Sequence, residues 1–384
     1  MTNPQHRKFQ NTTGTTTPIY VPGPRPSRPV RLGLDYFYIN IYNAQAAFTG
    51  KFGEQAKQLV VTSQVILKQS VLGNAPINAI QQYRTVQKNQ PVQLGLSPNL
   101  VDLVPATMEH VSVTLEFLLD TKNNLTSMAN LINDKAFVSG ISFAPGVAAV
   151  ALTISGLSQK IIQTFLPSET DQRPVLRFYG DFNLPGGQLL DGYYVILGSS
   201  DEHNPLPESV EGLSVGKPTL MLGGNSIKNL SYVILEVVFV PARTRELNMG
   251  VSWNTKLTEA ESVAQSSARN LFANLEEKEQ EWHKCMRLFT EVEALLGDDP
   301  NYVPREKEYI VAQSYNKCRL LFAGNQRTSP FESLDVVEMP EWLDTTSDRV
   351  LLGLSPEEDL DIKVAEYETQ VEEARSILGL SQSA

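Results

Sequence analysis

Apolar and polar residues alternate along most of the chain between residue 31 and about residue 240. The segment RLGLDYFYINIY, residues 31–42, opens this region with apolar or aromatic side chains at alternate positions. Because successive side chains of a strand point to opposite faces of a sheet, a period of two predicts β-structure. Further segments of this kind follow at short intervals: residues 59–68, 92–104, 110–119, 175–182, 193–198, 219–222 and 232–240.

Turn-forming residues separate several of these segments. Pro185–Gly187, Asp191–Gly192 and Gly223–Asn225 supply the glycines that tight turns use for positive φ angles. About eight short strands joined by such turns are typical of an antiparallel β-sandwich or a partly open barrel. We therefore expect a β-rich domain over residues 31–253.

A helical period interrupts that domain at residues 123–166. After Pro145, apolar residues recur at helical spacing from Val147 to Phe165. This spacing predicts a two-helix insertion that packs on one face of the sheet. Only about 12 of its residues form a largely apolar run, which is short for a membrane span. A membrane-acting, pore-forming protein that uses these helices is still an alternative hypothesis.

Long helical patterns fill the last third of the chain. Thr258 and Glu261 have the spacing of a capping box, and apolar residues then continue at helical spacing to Leu296. A single helix of this length would extend over roughly 55 to 60 Å. With a second helical pattern at residues 304–322, it predicts a long helical hairpin over residues 254–324.

Residues 325–384 combine an acidic linker with a final helix of heptad type. Apolar positions from Leu360 to Leu378 are spaced alternately by four and three residues. Such a seam predicts contact with another helix, and three heptads are too few for a stable coiled coil by themselves. We expect a helix of the same chain or of a partner to bind the larger side chains of this seam, namely Leu360, Val364, Tyr367, Val371 and Leu378. The fold class is thus α+β, with a long-helix C-terminal region.

Charge is distributed unevenly between the two ends of the chain. Residues 1–34 contain five basic residues and no carboxylate, whereas residues 331–384 contain fourteen acidic and three basic residues. Residues 1–30 are rich in proline and threonine, which favours a flexible arm that is disordered or laid as a polyproline-like strap on a neighbour. We expect Arg25, Arg28 and Arg31 to bind the acidic tail of another copy or a different subunit.

Composition excludes several classes of protein. Hydrophobic residues make up 41% of the chain and charged residues 20%, as in ordinary globular proteins. The net charge of −11 repels phosphate backbones and so disfavours general nucleic-acid binding. Only Cys285 and Cys318 are present, which excludes a disulfide-built secreted domain. With no apolar leader or membrane-length segment either, we expect a cytoplasmic protein.

Motifs that carry chemistry are weak in this sequence. Residues 212–216 match the G-x-S-x-G pattern of a hydrolase nucleophile elbow, but polar residues precede Ser214 and an extended segment follows it. Acidic turn residues such as Asp181 and Asp191 are interpreted as solvated turn residues or, less readily, as calcium ligands. We expect no catalytic residue, no metal and no cofactor.

These patterns favour a non-enzymatic structural or adaptor protein. It would assemble with copies of itself, or with partner subunits of a larger complex, through the N-terminal arm and the C-terminal helices. The pore-forming effector described above and a serine hydrolase that uses Ser214 are the alternatives. The three hypotheses predict different behaviour in solution, on membranes and towards ester substrates.

Overall fold

The computed structural model describes residues 18–47, 57–69, 73–86, 91–94, 99–120, 173–198, 206–207, 209–216, 219–243, 251–270, 273–324, 341–343, 345–354 and 357–380. The chain divides into two compact units. The β unit comprises residues 1–32 and 37–239, and the helical unit comprises residues 33–36 and 240–384. The expectation of an α+β protein with antiparallel sheets is confirmed.

Thirteen strands lie in the described residues. They are β1 (Ile19–Val21), β2 (Tyr36–Ala46), β3 (Lys57–Gln69), β4 (Gly73–Val86), β5 (Val92–Gln93), β6 (Asn99–Pro105), β7 (His110–Asp120), β8 (Arg173–Asn183), β9 (Gly192–Gly198), β10 (Leu213–Val215), β11 (Leu220–Leu222), β12 (Asn225–Ser226) and β13 (Ser231–Val240). Most of them coincide with predicted strands. β4 was not predicted, because its sequence is rich in amide side chains and contains Pro76.

The strands form three sheets. The largest has the order β1-β9-β13-β2-β5, with β6 also pairing with β2. A second sheet has the order β4-β3-β7-β8, and a small third sheet has the order β10-β11-β12. Within them β3 runs antiparallel to β4 and β7, and β9 runs antiparallel to β1 and β13.

One hydrophobic core contains side chains from both larger sheets. Phe37 of β2 and Leu235 of β13 belong to the same cluster as Phe117 of β7 and Phe178 of β8. β13 is buried almost throughout because this cluster covers one of its faces, and a second cluster that includes Leu220 of β11 covers the other. Burial on both faces explains why the sequence of β13 is apolar from Tyr232 to Val240 except at Glu236, instead of alternating.

Residues 18–30 differ from the flexible arm that the sequence predicts. β1 pairs with β9 at the edge of the largest sheet, and the segment that follows β1 stays in contact with residues 189–191. The prediction considered only the arm's own low apolar content. It did not include the unpaired backbone groups that the edge of a sheet offers to an incoming strand. Residues 1–17 lie outside the described residues.

The helical unit contains α1 (Ser252–Arg269), α2 (Leu275–Gly297), α3 (Pro304–Gly324), α4 (Thr346–Leu351) and α5 (Glu357–Leu378). The predicted single helix from about residue 257 to Leu296 was wrong, since it is divided between α1 and α2. α2 folds back along α1, as shown by an ion pair of 2.8 Å between Lys256 and Glu291 and a hydrogen bond from the Cys285 thiol to the Ala260 carbonyl. The hairpin is therefore part of a bundle in which α3 also packs on α1.

The division falls where a genuine capping box begins α2. The Asn274 side chain accepts a hydrogen bond from the Glu277 backbone, and the Glu277 carboxylate accepts one from the Asn274 backbone. The predicted box at Thr258 lies inside α1 instead, where the Thr258 hydroxyl donates to the Asn254 carbonyl. The sequence hid the break because the apolar stripes of α1 and α2 follow each other almost in phase.

The predicted insertion at residues 123–166 lies outside the described residues. Among the helices that the structure does describe, none is long and apolar enough to cross a bilayer. The border between the two units follows Phe239, whereas the β-rich domain predicted from the sequence ends at residue 253. Helices α4 and α5, from the predicted segment 325–384, belong to the same unit as α1, α2 and α3.

The observed capping box at Asn274 and the predicted one at Thr258 give a direct test of the helix boundary. We expect Asn274→Ala to lower the free energy of unfolding of the helical unit by about 1 kcal/mol, because the Glu277 backbone N–H loses the side-chain oxygen that accepts its hydrogen bond. Thr258→Ala is the matched control, and we expect a change within about 0.5 kcal/mol because alanine favours a helix interior. All three tryptophans, Trp253, Trp282 and Trp342, lie in the helical unit, so fluorescence during urea unfolding measures this unit. A larger loss for Thr258→Ala would contradict the observed boundary.

Candidate functional site

A buried carboxyl, that of Glu306, lies in the first turn of α3 and is only 2% exposed. Pro304 is the first residue of the helix. A backbone N–H at this position has no partner within the helix, so proline, which lacks one, is tolerated there. The groups around the carboxyl come from distant parts of the chain. We call this set the Glu306 cluster: Tyr36, Arg243, Tyr302, Glu306 and Tyr367.

Hydrogen bonds hold one oxygen of this carboxyl. Glu306 Oε1 accepts from the Arg243 backbone N–H at 2.9 Å and from the Tyr367 hydroxyl at 3.2 Å. Glu306 Oε2 is buried and has no hydrogen-bond partner among the described residues. A carboxylate with a partnerless buried oxygen is costly to keep ionised.

Aromatic rings surround the nearest positive charge. The Arg243 guanidinium lies 5.3 Å from the ring centre of Tyr302 and 5.9 Å from that of Tyr36. The Tyr36 hydroxyl accepts a hydrogen bond of 2.9 Å from the Val303 backbone, and Tyr302 packs edge-on against Trp253. The cluster therefore joins the beginning of β2, the residues after β13 and the beginning of α3 within the helical unit.

Burial raises the pKa of the Glu306 carboxyl from 4.5 to about 7, because removal from water disfavours the charged form. The nearby Tyr36 and Tyr367 hydroxyls, the Arg243 backbone N–H and the positive charge of Arg243 limit this rise of the pKa. The pKa values of Tyr36 and Tyr367 are raised well above 10. Burial is the main cause of this rise, and the nearby Glu306 charge is the second. Both hydroxyls are thus protonated at neutral pH, whereas the carboxyl gains or loses its proton there.

Helix α5 meets this cluster along its seam. Tyr367 packs on Tyr309 with ring centres 5.6 Å apart, and Arg305 forms an ion pair of 2.8 Å with Glu366. The Tyr309 hydroxyl also donates to Glu366 at 2.6 Å. These contacts lock α5 against α3 of the same chain, which is one of the two partners that the sequence allows.

The predicted seam residues occupy the face of α5 that this contact protects. Leu360 and Tyr367 are buried, at 0% and 6% exposure. Val364, Val371 and Leu378 are half-buried. The heptad spacing thus follows the face of α5 on which Leu360 and Tyr367 are buried, two turns apart.

The predicted arginines of the arm lie in the β unit. Arg25 Nε donates to Asp191 Oδ1 at 3.2 Å, and Arg25 Nη2 lies 3.8 Å from Glu236 Oε1. The Arg28 guanidinium lies 5.3 Å from the ring centre of Phe239, and Arg31 is exposed. Arg25 and Arg28 are therefore engaged by the β unit of their own chain.

The surroundings of Ser214, Cys285 and Cys318 do not favour a nucleophilic role. Ser214 is exposed in β10, and the next described element is β11, not the helix that a nucleophile elbow requires. Cys285 and Cys318 are free and buried, and burial raises the pKa of the Cys285 thiol to about 12. Thiols of this kind are almost never ionised at neutral pH, which makes them poor nucleophiles.

Sequence reasoning missed Glu306, Arg243 and Tyr36, and it misread Asp191 as a solvated turn residue. Asp191 is 3% exposed, and its second carboxylate oxygen accepts from the Phe239 backbone at 3.1 Å. Acidic residues at turns and helix starts are usually exposed, so the residue types alone did not indicate burial. Asp191 and Glu306 are buried because they bind groups that lie far away in the sequence.

Comparison with protein-family models finds no family that matches this sequence, and comparison with curated proteins finds no significant relative. Among the residues whose placement is described, no group of three or more His, Cys, Asp or Glu side chains could hold a metal ion. Function is therefore inferred from the contacts of this chain.

The buried carboxyl predicts a pH dependence of stability. The folded chain keeps the Glu306 proton up to about pH 7, whereas the unfolded chain releases it near 4.5. This group's contribution is therefore complete below about pH 4.5 and is lost as the pH rises through 7, a change of roughly 3 kcal/mol. Unfolding free energies of the wild type minus those of Glu306→Gln should fall by this amount between pH 4.5 and 8.

Glu308→Gln is the matched control for this measurement, because Glu308 lies two residues along α3 and its side chain is 57% exposed. Its difference from the wild type should change little over the same range. A difference for Glu306→Gln that stays constant with pH would show that the carboxyl does not titrate near neutrality.

Proposed function

We propose that this chain is a non-enzymatic structural or adaptor protein that assembles with further copies of itself through its N-terminal arm and C-terminal helices. A β-sandwich formed by the two larger sheets would be its rigid body. The shared hydrophobic core of those sheets supports this description of the β unit.

The exposed apolar side chains of α4 and α5 are the observation that carries this proposal. Val350 and Leu351 of α4 are 72% and 58% exposed, and Ile362 of α5 is 59% exposed. Large aliphatic side chains that are exposed on one chain can be removed from water when they lie in a protein interface. We call Val350, Leu351 and Ile362 the apolar set.

Charge favours a second copy of this chain as the partner. Residues 1–34 carry a formal charge of +5, and residues 331–384 carry −11, so two copies offer each other opposite charges. Asp361 of α5 is 69% exposed even though Arg319 and Asn316 contact it. Attraction between exposed charges of this kind weakens as salt is added.

The alternative interpretation is a monomer in which the N-terminal arm and the C-terminal helices only stabilise the units to which they belong. The contacts of α5 with α3 and of Arg25 with Asp191 are compatible with it. It gives no role to the apolar set, which these contacts leave exposed. The two interpretations differ in the mass of the protein in solution.

Light scattering during size-exclusion chromatography tests this proposal. We expect the full chain to have more than the monomer mass of 42.6 kDa at low ionic strength and to dissociate as salt is added. Ile362→Asp and Val350→Asp should weaken association at least about tenfold, since each places a charge in an apolar contact.

Leu275→Asp is the matched control, because Leu275 is also an exposed aliphatic residue, at 65%, but begins α2. It should leave the mass unchanged. A wild-type protein with the monomer mass at all concentrations and salt levels would refute self-assembly, and an equal effect of Leu275→Asp would refute the role of the apolar set.

A further inference from the structure

The contact between the N-terminal arm and β9 is more specific than an edge strand requires. Three residues of β1 pair with Tyr193, Tyr194 and Val195 in antiparallel register. The contact continues beyond β1, since the Val30 backbone donates to the Leu189 carbonyl at 3.3 Å and the Asp191 backbone donates to the Arg28 carbonyl at 3.0 Å. The arm thus follows residues 189–195 for most of its described length.

Asp191 gives this surface a site for an arginine. Its carboxylate is almost fully buried and receives Arg25 on one oxygen and the Phe239 backbone on the other. Its carbonyl accepts a hydrogen bond of 2.7 Å from the Tyr20 hydroxyl. Removing the arm would leave the buried carboxylate without its only described cationic partner.

Gly192 leaves the space that the arm fills. Its φ angle is +142°, and a Cβ at this position would lie 2.9 Å from the Tyr20 hydroxyl oxygen and 3.1 Å from the Val21 carbonyl oxygen. Tyr20 also packs edge-on against Tyr194, with ring centres 5.5 Å apart. The surface is therefore shaped for a proline- and arginine-containing strand, and aromatic rings beside acidic groups are well suited to such a segment.

The connection between the arm and β2 is exposed at its start and buried at its end, where Asp35 is 0% exposed. Arg31 is exposed, and Leu32 is 42% exposed. Gly33 has a φ angle of +69°, and a Cβ there would meet no described atom within 4 Å. Five prolines in residues 18–29 stiffen the arm and keep it extended. A stiff arm on a glycine-containing connection that is exposed at Arg31 and Leu32 can point away from its own body without losing internal structure.

We propose that the arm is exchanged between copies, so that β1 of one chain pairs with β9 of a second chain and Arg25 binds the second chain's Asp191. This inference rests on the proposed function and names the contact through which the copies assemble. The closed and exchanged forms have the same arm contacts, so their balance depends on the connection and on protein concentration. The occupant is another copy of this chain, because the surface fits its own arm in detail.

Disulfide trapping between two separately prepared proteins tests this exchange. One carries Val21→Cys and the other carries Tyr193→Cys, the positions that face each other in the register of β1 and β9. Neither protein contains both introduced cysteines, so a disulfide between positions 21 and 193 joins two chains. After mixing at high salt, transfer to low salt and mild oxidation, we expect a covalent pair of twice the chain mass on a non-reducing gel.

Three further samples make the result specific. Wild-type protein controls for the buried native thiols and should give no covalent pair. Arg25→Ala in the first protein should reduce the yield several-fold, whereas Arg287→Ala, which changes an exposed arginine of α2, should not. The double variant Val21→Cys with Tyr193→Cys in one chain shows whether the two positions are close enough to react.

The outcomes separate this inference from the proposed function. A link between the two proteins that needs Arg25 supports exchange. If the protein has an oligomeric mass but only the double variant reacts, within its own chain, exchange is refuted and self-assembly through the helices stands. If the protein also has the monomer mass throughout, both are refuted.

Discussion

A buried carboxyl that must find partners organises each unit of this protein. In the β unit Asp191 is held by the Phe239 backbone and by Arg25 of the N-terminal arm. In the helical unit Glu306 is held by the Arg243 backbone and by Tyr367 of the last helix. Each acid thus combines a fixed backbone donor with a side chain from a terminal segment, and an unpartnered buried acid would cost several kcal/mol. The two ends of the described chain are therefore tied to their units by desolvated acids.

The two ties respond to different conditions. Arg25 is a permanent cation and is 28% exposed, so salt screens part of its attraction to Asp191. The partner of Glu306 on α5 is a neutral hydroxyl, and burial raises the pKa of Glu306 to about 7, so proton concentration governs this tie. Ionic strength thus acts on the contact of Arg25 with Asp191, and pH acts on the contact of Tyr367 with Glu306.

Local patterns predicted the elements of this fold well, and contacts between distant residues limited the rest. Alternation located strands such as β7, and heptad spacing identified the face of α5 that contains Leu360 and Tyr367. The break between α1 and α2 was missed because apolar spacing continues across Asn274, although its capping box with Glu277 was readable. The Glu306 cluster could not be predicted from the sequence, because Tyr36 and Tyr367 come from opposite ends of the chain and only the fold brings them together.

If the arm joins copies together as proposed, the buried state of Asp191 decides between two ways in which it could do so. If the arm left its own body to lie on the acidic tail of a neighbour, Asp191 would remain buried without Arg25, at a cost of about 3 kcal/mol. Exposed charges on the tail would return less than this, because water and salt screen them. If the arm moves to β9 of another copy, every Asp191 keeps an arginine and every β9 keeps its edge partner. Exchange is therefore the form of arm-mediated assembly that the energetics of the β unit favour.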